Sequence, residues 1–403
     1  GYLLAASVRR HKALAATLIA ALLAVILLTV LYVHDVKEQE VRARTRQYAA
    51  SVAAAEIALR EGDLPRARAL LRQAPPEYRN WEWRHLESRL HPELRRFASL
   101  SPGSAFEIEY SPDGRWVAVG THSKVRVFDE QSGEVVQDLE VERPALCVLA
   151  WDAEGGRLAT AASDRLLVWA WPEGRRMHDA SWPRAIRALD FDPAGEDLFV
   201  GDDDGRVVRL DGQGFAVLDS VILPTRVNDV VIQRTGEAIA VARLDGQVTL
   251  LEARPLRARW TRRLSPRLVE SVACVGASLV AATTFDGALH LLQAQDGALD
   301  RILPHGGRVW DVEASPDGRQ LASLSEGGAL HLFNLGSGRR QMPRAHGRET
   351  SRVAFHPDGT RVMTGSWSGS LAEWDCATDD DPRLLRPHID DVVSVAVHPD
   401  GRQ

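Results

Sequence analysis

The sequence predicts an all-β propeller of seven blades, preceded by one transmembrane helix and a short helical stalk. Three observations carry the prediction: a beat of 41 residues, turn motifs that recur on it, and one long uncharged run near the start. Phe128, Trp169, Leu210, Leu251, Leu292, Phe333 and Trp374 stand 41 residues apart throughout. Self-similarity at such a period marks a repeat protein, because a non-repetitive domain has no reason to keep time.

The turn markers follow the same beat. Gly114, Gly155, Gly195, Gly236, Gly318, Gly359 and Gly401 close Pro-Asp-Gly-like turns, while Ala277 stands where the fifth repeat would have its glycine. Asp204-Gly205, Asp245-Gly246 and Asp286-Gly287 are tight-hairpin dipeptides. Each unit therefore reads as strand a, a turn, a small-residue strand b, a short turn, an aromatic- or Leu-ending strand c, and strand d. One four-stranded unit cannot bury both its faces. Packing such units around an axis covers them.

Ahead of the repeats, Ala13 to Val33 is a run of 21 residues without a charge. At 1.5 Å per residue it is about 31 Å long, close to the hydrocarbon thickness of a bilayer. A secretory signal has a shorter apolar region and a small-residue cleavage site, and neither is found here. Arg9, Arg10 and Lys12 precede the run and only Lys37 follows closely, which sets the N-terminus on the cytoplasmic side and the repeats outside. Helices are expected over 36–60, 66–73 and 78–90, with Asp63 or Leu64 at an N-cap and Pro65 in a first turn. Val36, Ala43, Ala50 and Ile57 fall on a heptad, but Glu40 and Gln47 interrupt it. A stalk that docks on the next domain is the better reading than a coiled coil.

The chain thus divides into a cytoplasmic flank (1–12), the span (13–33), the stalk (34–92), seven repeats (93–387) and the start of an eighth (388–403). Val392 to Gln403 reads as strand a and its turn alone, so the natural protein is expected to continue at this end and, since residue 1 is not Met, at the other. Leu94–Leu100 and Pro382–Pro387 compete to complete the seventh blade.

Composition narrows the function. With 49 basic and 55 acidic residues the net charge is −6, and no cationic field exists to hold nucleic acid. A hydrophobic fraction of 45% and a charged fraction of 26% exclude disorder as the main state. Cys147, Cys274 and Cys376 are too few and too scattered for a disulfide framework or a zinc site. No kinase, P-loop or zinc-protease motif occurs. Gly365-Ser366-Trp367-Ser368-Gly369 resembles a nucleophile elbow, but its centre is Trp. Asp202-Asp203-Asp204 and Asp379-Asp380-Asp381 read as solvated loops rather than calcium ligands. No cofactor or metal is expected, and the oligomeric state is left open.

The period, the turns Ser111-Pro112-Asp113-Gly114-Arg115, His356-Pro357-Asp358-Gly359-Thr360 and His398-Pro399-Asp400-Gly401-Arg402, and the ending Leu371-Ala372-Glu373-Trp374-Asp375 resemble WD40 repeats. His305, His346 and His388 fall where that family's Gly-His histidine would stand, one per blade. The resemblance implies a buried His, Ser/Thr, Asp and Trp set, complete in no repeat. The seventh has His346, Thr364 and Trp374 with Ser368 in place of Asp; the second has Trp169 without His. The stalk motifs Arg60-Glu61-Gly62-Asp63-Leu64-Pro65-Arg66 and Asn80-Trp81-Glu82-Trp83-Arg84-His85-Leu86, set between a membrane helix and such repeats, are similar to the C-terminal half of bacterial membrane-anchored Ser/Thr protein kinases. That likeness implies a kinase domain before residue 1 and a protein-binding sensor or scaffold role for this part.

Two functional readings follow. The first is a membrane-anchored module that binds a protein or peptide. The alternative is an enzyme with its site at the axial channel, which needs converging polar groups there; the strand-a column Ile108, Leu149, Leu189, Val230, Val312 and Val353 is apolar. Ten residues before each turn marker stand Ser104, Ala145, Ala185, Arg226, Arg267, Arg308 and Glu349. Three consecutive blades so carry Arg at one point of the rim, beside Asn228 and Trp310, an aromatic and guanidinium pairing suited to an acidic partner.

Overall fold

A computed structural model describes residues 2–60, 63–80, 82–83, 86–87, 93–97, 100, 104–141, 147–305, 307–338, 340, 344–345 and 350–376. Seven four-stranded antiparallel sheets form a closed series of blades. In six of them strands a to d follow one another in the chain, as in blade three with Ile186–Phe191, Asp197–Asp202, Arg206–Asp211 and Val217–Ile222. The seven beat residues all lie in strand c and are all buried. Blade seven is completed by Glu93–Arg96, which pairs antiparallel with Leu371–Asp375. The first of the two candidates for that strand is therefore the one used. Pro382–Pro387 and the expected eighth repeat lie outside the described residues.

Local chemistry explains the regularity. The glycines of the a–b turns have positive φ, 73° at Gly114 and 73° at Gly359, a region that costs glycine nothing. The fifth blade differs in its hairpin. Val275 pairs with Leu279 across Gly276, Ala277 and Ser278, and Gly276 takes the positive φ one residue ahead of Ala277. Strand b is built of small residues because the next blade's strand a lies against it. A Cβ placed on Gly201 would stand 2.6 Å from Val227 Cγ1 and 2.9 Å from Val230 Cγ2. Between blades the faces form dry clusters, such as Leu166 and Val168 of blade two with Leu198, Val200 and Val208 of blade three.

The N-terminal part departs from expectation in its joints. One unbroken helix, α1, runs Tyr2–Arg60, where separate membrane and stalk helices were expected. Before Leu28 the description is of its backbone alone. Among the described residues no helix is long and apolar enough to cross a membrane; most of Ala13–Val33 lies outside the side chains described. A second helix, α2, spans Leu64–Gln73 with Asp63 as N-cap, its carboxylate accepting from the N–H of Arg66 at 3.1 Å, and Pro65 in its first turn. Of the third expected helix, 82–83 and 86–87 are described and helical, after a 3-10 turn at Pro76–Tyr78. The heptad positions Val36 and Ile57 face outward, 43% and 56% exposed. Instead Ala55, Ala58 and Leu59 pack on Ala67 and Leu71, with Leu86 and with Ala329 of blade six. The stalk docks on the propeller, as expected. Within the stalk, the indole of Trp83 ties the following segment to α2 by donating to the carbonyl of Leu71 at 2.9 Å.

Candidate functional site

The rim formed by the b–c turns and the loops leading into strand a carries the candidate residues. Arg308 lies between two rings, its Cζ 3.6 Å from the Trp310 centroid and 4.2 Å from that of Phe285. Its Nη2 donates to Glu270 Oε2 at 2.6 Å, while its Nε is buried without a hydrogen-bond partner. Arg267 approaches the same Phe285 ring at 4.7 Å, is exposed, and makes no ion pair among the described residues. Trp310 meets Trp367 edge to face, with centroids 5.0 Å apart. The result is a ladder of Arg267, Phe285, Arg308, Trp310 and Trp367 across blades five to seven. Cation–ring contacts of this kind order long side chains that would otherwise be mobile.

Arg226 stands apart from the ladder. Its Nε donates to Asn228 Oδ1 at 2.9 Å, and Asp203 lies 3.9 Å away. Asn228 in turn donates to the carbonyl of Val269 at 2.7 Å, tying blade four to blade five. The three arginines are thus unequal: two have acidic neighbours and one is free to take a new one. Of the other rim positions, Ser104 donates to the carbonyl of Trp367 at 2.5 Å, and Ala145 and Glu349 lie outside the described residues. The sequence reading missed Phe285 and Glu270 and noted Trp367 only as the residue that rules out a nucleophile elbow. Phe285 and Trp367 stand two repeat periods apart, so aligning the b–c turns on the beat would have brought them out.

The axial channel corrects a second expectation. The column Ile108, Leu149, Leu189, Val230, Val312 and Val353 is apolar and buried, but it packs toward the preceding blade, as Val230 does on Gly201. Alternation along strand a turns its neighbours inward instead. Glu107, Glu109, Asp190, Asp229, Asp311, Glu313 and Arg352 line a cavity of about 500 Å³. Their arrangement is structural. The inner strand is a sheet edge with unpaired N–H groups, and carboxylates of one blade accept from the next. Asp229 accepts from Val272 at 3.0 Å and Asp311 from Val353 at 2.9 Å. On a second tier Glu109 accepts from Trp151 at 3.0 Å, Asp190 from Ile232 at 2.8 Å and Glu313 from Phe355 at 2.5 Å. Desolvation raises the Glu107 and Asp190 carboxyls to about 7 and holds Glu109 and Glu313 well above their usual range. Burial alone would lower Arg352, but Glu107, Asp311 and Asp229 outweigh it and keep the guanidinium protonated. The converging groups that an enzyme at the channel would need are present, and each of these five carboxylates already has a backbone partner.

The remaining candidates have structural employment. Asp202 is buried, accepting from the indole of Trp182 at 3.1 Å and from the N–H groups of Asp204 and Arg206. Asp203 pairs with Arg187 at 2.6 Å and Asp204 with Arg184 at 2.8 Å. The turn is thus solvated at Asp203 and Asp204, as expected, and both are ion-paired, whereas Asp202 is buried. Asp379–Asp381, His346 and His388 lie outside the described residues. His305 bonds to Ser323 Oγ at 2.8 Å, and desolvation lowers it to about 4. Trp169 donates to Thr160 at 3.0 Å and Trp374 to Thr364 at 2.8 Å. These are pieces of the buried set, spread over blades two, six and seven. Cys147 and Cys274 lie in strand a of blades two and five, and desolvation pushes both thiols up to about 12. Among the described residues no group of three or more His, Cys, Asp or Glu could hold a metal ion.

Comparison with known proteins bears on the fold and on one repeat. Residues 340–375, most of blade seven, match the family described as WD domain, G-beta repeat. No curated protein matches the chain. Among solved structures it is similar to a chain of the "Crystal Structure of Mitotic Checkpoint Complex", with 18% identity and a TM-score of 0.64, over 70% of this chain and 95% of that one. The seventh repeat is thus a WD40 repeat by sequence, and the molecule is a seven-bladed β-propeller.

Proposed function

We propose that this chain is a membrane-anchored interaction module whose propeller binds an acidic protein or peptide at the rim of blades four to six. The observation that carries the reading is Arg267, exposed and without an acidic partner among the described residues, set on Phe285 beside the packed Arg308. Its guanidinium is pre-ordered, so a carboxylate can be met by paired hydrogen bonds at little entropic cost. Arg226, Asn228 and Trp310 flank it. Replacing Arg226, Arg267 and Arg308 together by Ala abolishes capture of an acidic partner in a pull-down, with the fold checked by circular dichroism. Unchanged capture would overturn the assignment.

The anchor in this reading is Ala13–Val33, supported by its 21 uncharged residues within a continuous helix. The basic residues before it favour a cytoplasmic N-terminus and a propeller on the outer side. Protease added to intact spheroplasts then digests the propeller; protection until lysis would reverse the topology. The stalk motifs support a place as the non-catalytic, sensor-like part of a bacterial Ser/Thr kinase signalling protein. A kinase catalytic loop encoded upstream of Gly1 is the expected finding, and an unrelated upstream domain would remove the kinase from the proposal.

A further inference from the structure

The rim is a bipartite surface. At one end Arg267 offers a charge with no carboxylate on it among the described residues; at the other Trp367 is 43% exposed and backed edge-on by Trp310. Between them Phe285, Arg308 and Trp310 form a continuous shelf whose own charge is taken up by Glu270. The middle therefore carries no net charge, and the two ends differ in chemistry. Building on the acidic-partner reading above, we infer that the partner is an extended peptide segment that carries a carboxylate and a bulky apolar or aromatic side chain at a fixed separation, the first on Arg267 and the second on Trp367.

The separation follows from the ladder. Its four steps, each between 3.6 and 5.0 Å, reach at most about 18 Å, the span of about five extended residues at 3.3 Å each. An isolated acid engages one end only, and so does an isolated aromatic. Two weak contacts joined by a short linker of the right reach bind far better than either alone. A phosphate or a nucleic acid has no use for the neutral shelf, and an anionic membrane has no reason to prefer one spacing. An acidic-aromatic peptide uses both ends.

The test is a peptide array probed with the full chain in detergent. Each peptide carries one Asp and one Trp in a Gly/Ser background, separated by zero to eight residues, in both orders. Binding is expected to peak in one order at no more than about four intervening residues, at least tenfold above either single-residue control. Arg267→Ala removes the preference for Asp over Asn, and Trp367→Ala removes the preference for Trp over Ala, each leaving the other preference in place. A signal that ignores spacing but is lost in the triple arginine variant would overturn the bipartite surface and leave the acidic-partner reading intact. Acidic peptides bound equally by the triple variant would remove both. No binding by any array member overturns the bipartite surface as well.

Discussion

A methyl group added at Gly201 has no room, since Val227 and Val230 of the next blade already fill its place. Gly201→Ala is therefore expected to cost about 1–3 kcal/mol through overpacking, read as a lowered midpoint in urea. The carboxylates of the channel act at the same scale. Asp311→Ala leaves the N–H of Val353 without its acceptor and costs about 1–3 kcal/mol, whereas Asp311→Asn keeps an oxygen there and costs less. Equal loss in both variants would show that charge, and not acceptance, is what matters. The pH response has a definite sign. Folded Asp190 holds its proton to about 7, above its ordinary 3.8, so its contribution to stability declines as pH rises from about 4 to 7. Glu107 acts likewise from 4.5 to about 7. Asp358 works the other way. Although burial opposes it, Thr360 and His356 hold it down to about 2, and its stabilisation is lost as pH falls from 3.8 toward 2. His305 opposes the channel carboxyls below pH 6.5, because burial keeps it neutral down to about 4 when folded. The net fall in thermal stability from the channel carboxyls is therefore expected between about pH 6.5 and 8. Asp190→Asn flattens that fall; an unchanged fall would take the channel out of the explanation.

At the level of elements, the outer strands differ in how they guard their edges. Strand d of blade two carries Arg175 and Arg176, and that of blade four carries Arg257, Arg259, Arg262 and Arg263. Val217–Ile222 of blade three has no basic residue, and its Val217, Leu218 and Ile222 are 61%, 50% and 72% exposed. Its one charge, Asp219, is turned to the N–H of Leu256 at 2.7 Å. An apolar, unguarded edge invites pairing with another chain. Leu218→Lys is expected to change stability by less than about 0.5 kcal/mol while slowing aggregation on heating, followed by light scattering. The beat made such elements easy to place, because strand c repeats an apolar residue that must be buried in every blade. What faces each side of strand a was harder to read. Ile108 and Glu107 are neighbours in sequence, and only the packing of Val230 on Gly201 tells which of the two rows meets a blade and which meets the channel. The ladder was half visible for a similar reason. Arg267, Arg308 and Trp310 align on the loops before strand a, but Phe285 and Trp367 belong to the b–c turns, and nothing in a linear reading joins the two sets.

For the molecule as a whole, closure is the decisive feature. Glu93–Arg96 comes from the front of the chain and pairs with Leu371–Asp375 from the back, and Phe97 beside it packs edge-on against Phe128 at 6.1 Å. Phe97→Ala is expected to cost about 3–5 kcal/mol and to lower the cooperativity of unfolding, since blade one and blade seven share that cluster. A single sharp transition in the variant would mean that the ring does not depend on this seam. The number of blades was legible from the beat, and the choice of closing strand was not, because two segments had suitable composition and only pairing selects between them. Closure also has a mechanical consequence. The strand that seals the ring follows the stalk in the chain, so once the stalk's contact with Ala329 of blade six has parted, a load applied through α1 passes along the chain to Glu93–Arg96 before it reaches any other strand. Tension there would work the seam like a latch, opening blade seven at its outer margin while the rest of the ring stays under little strain.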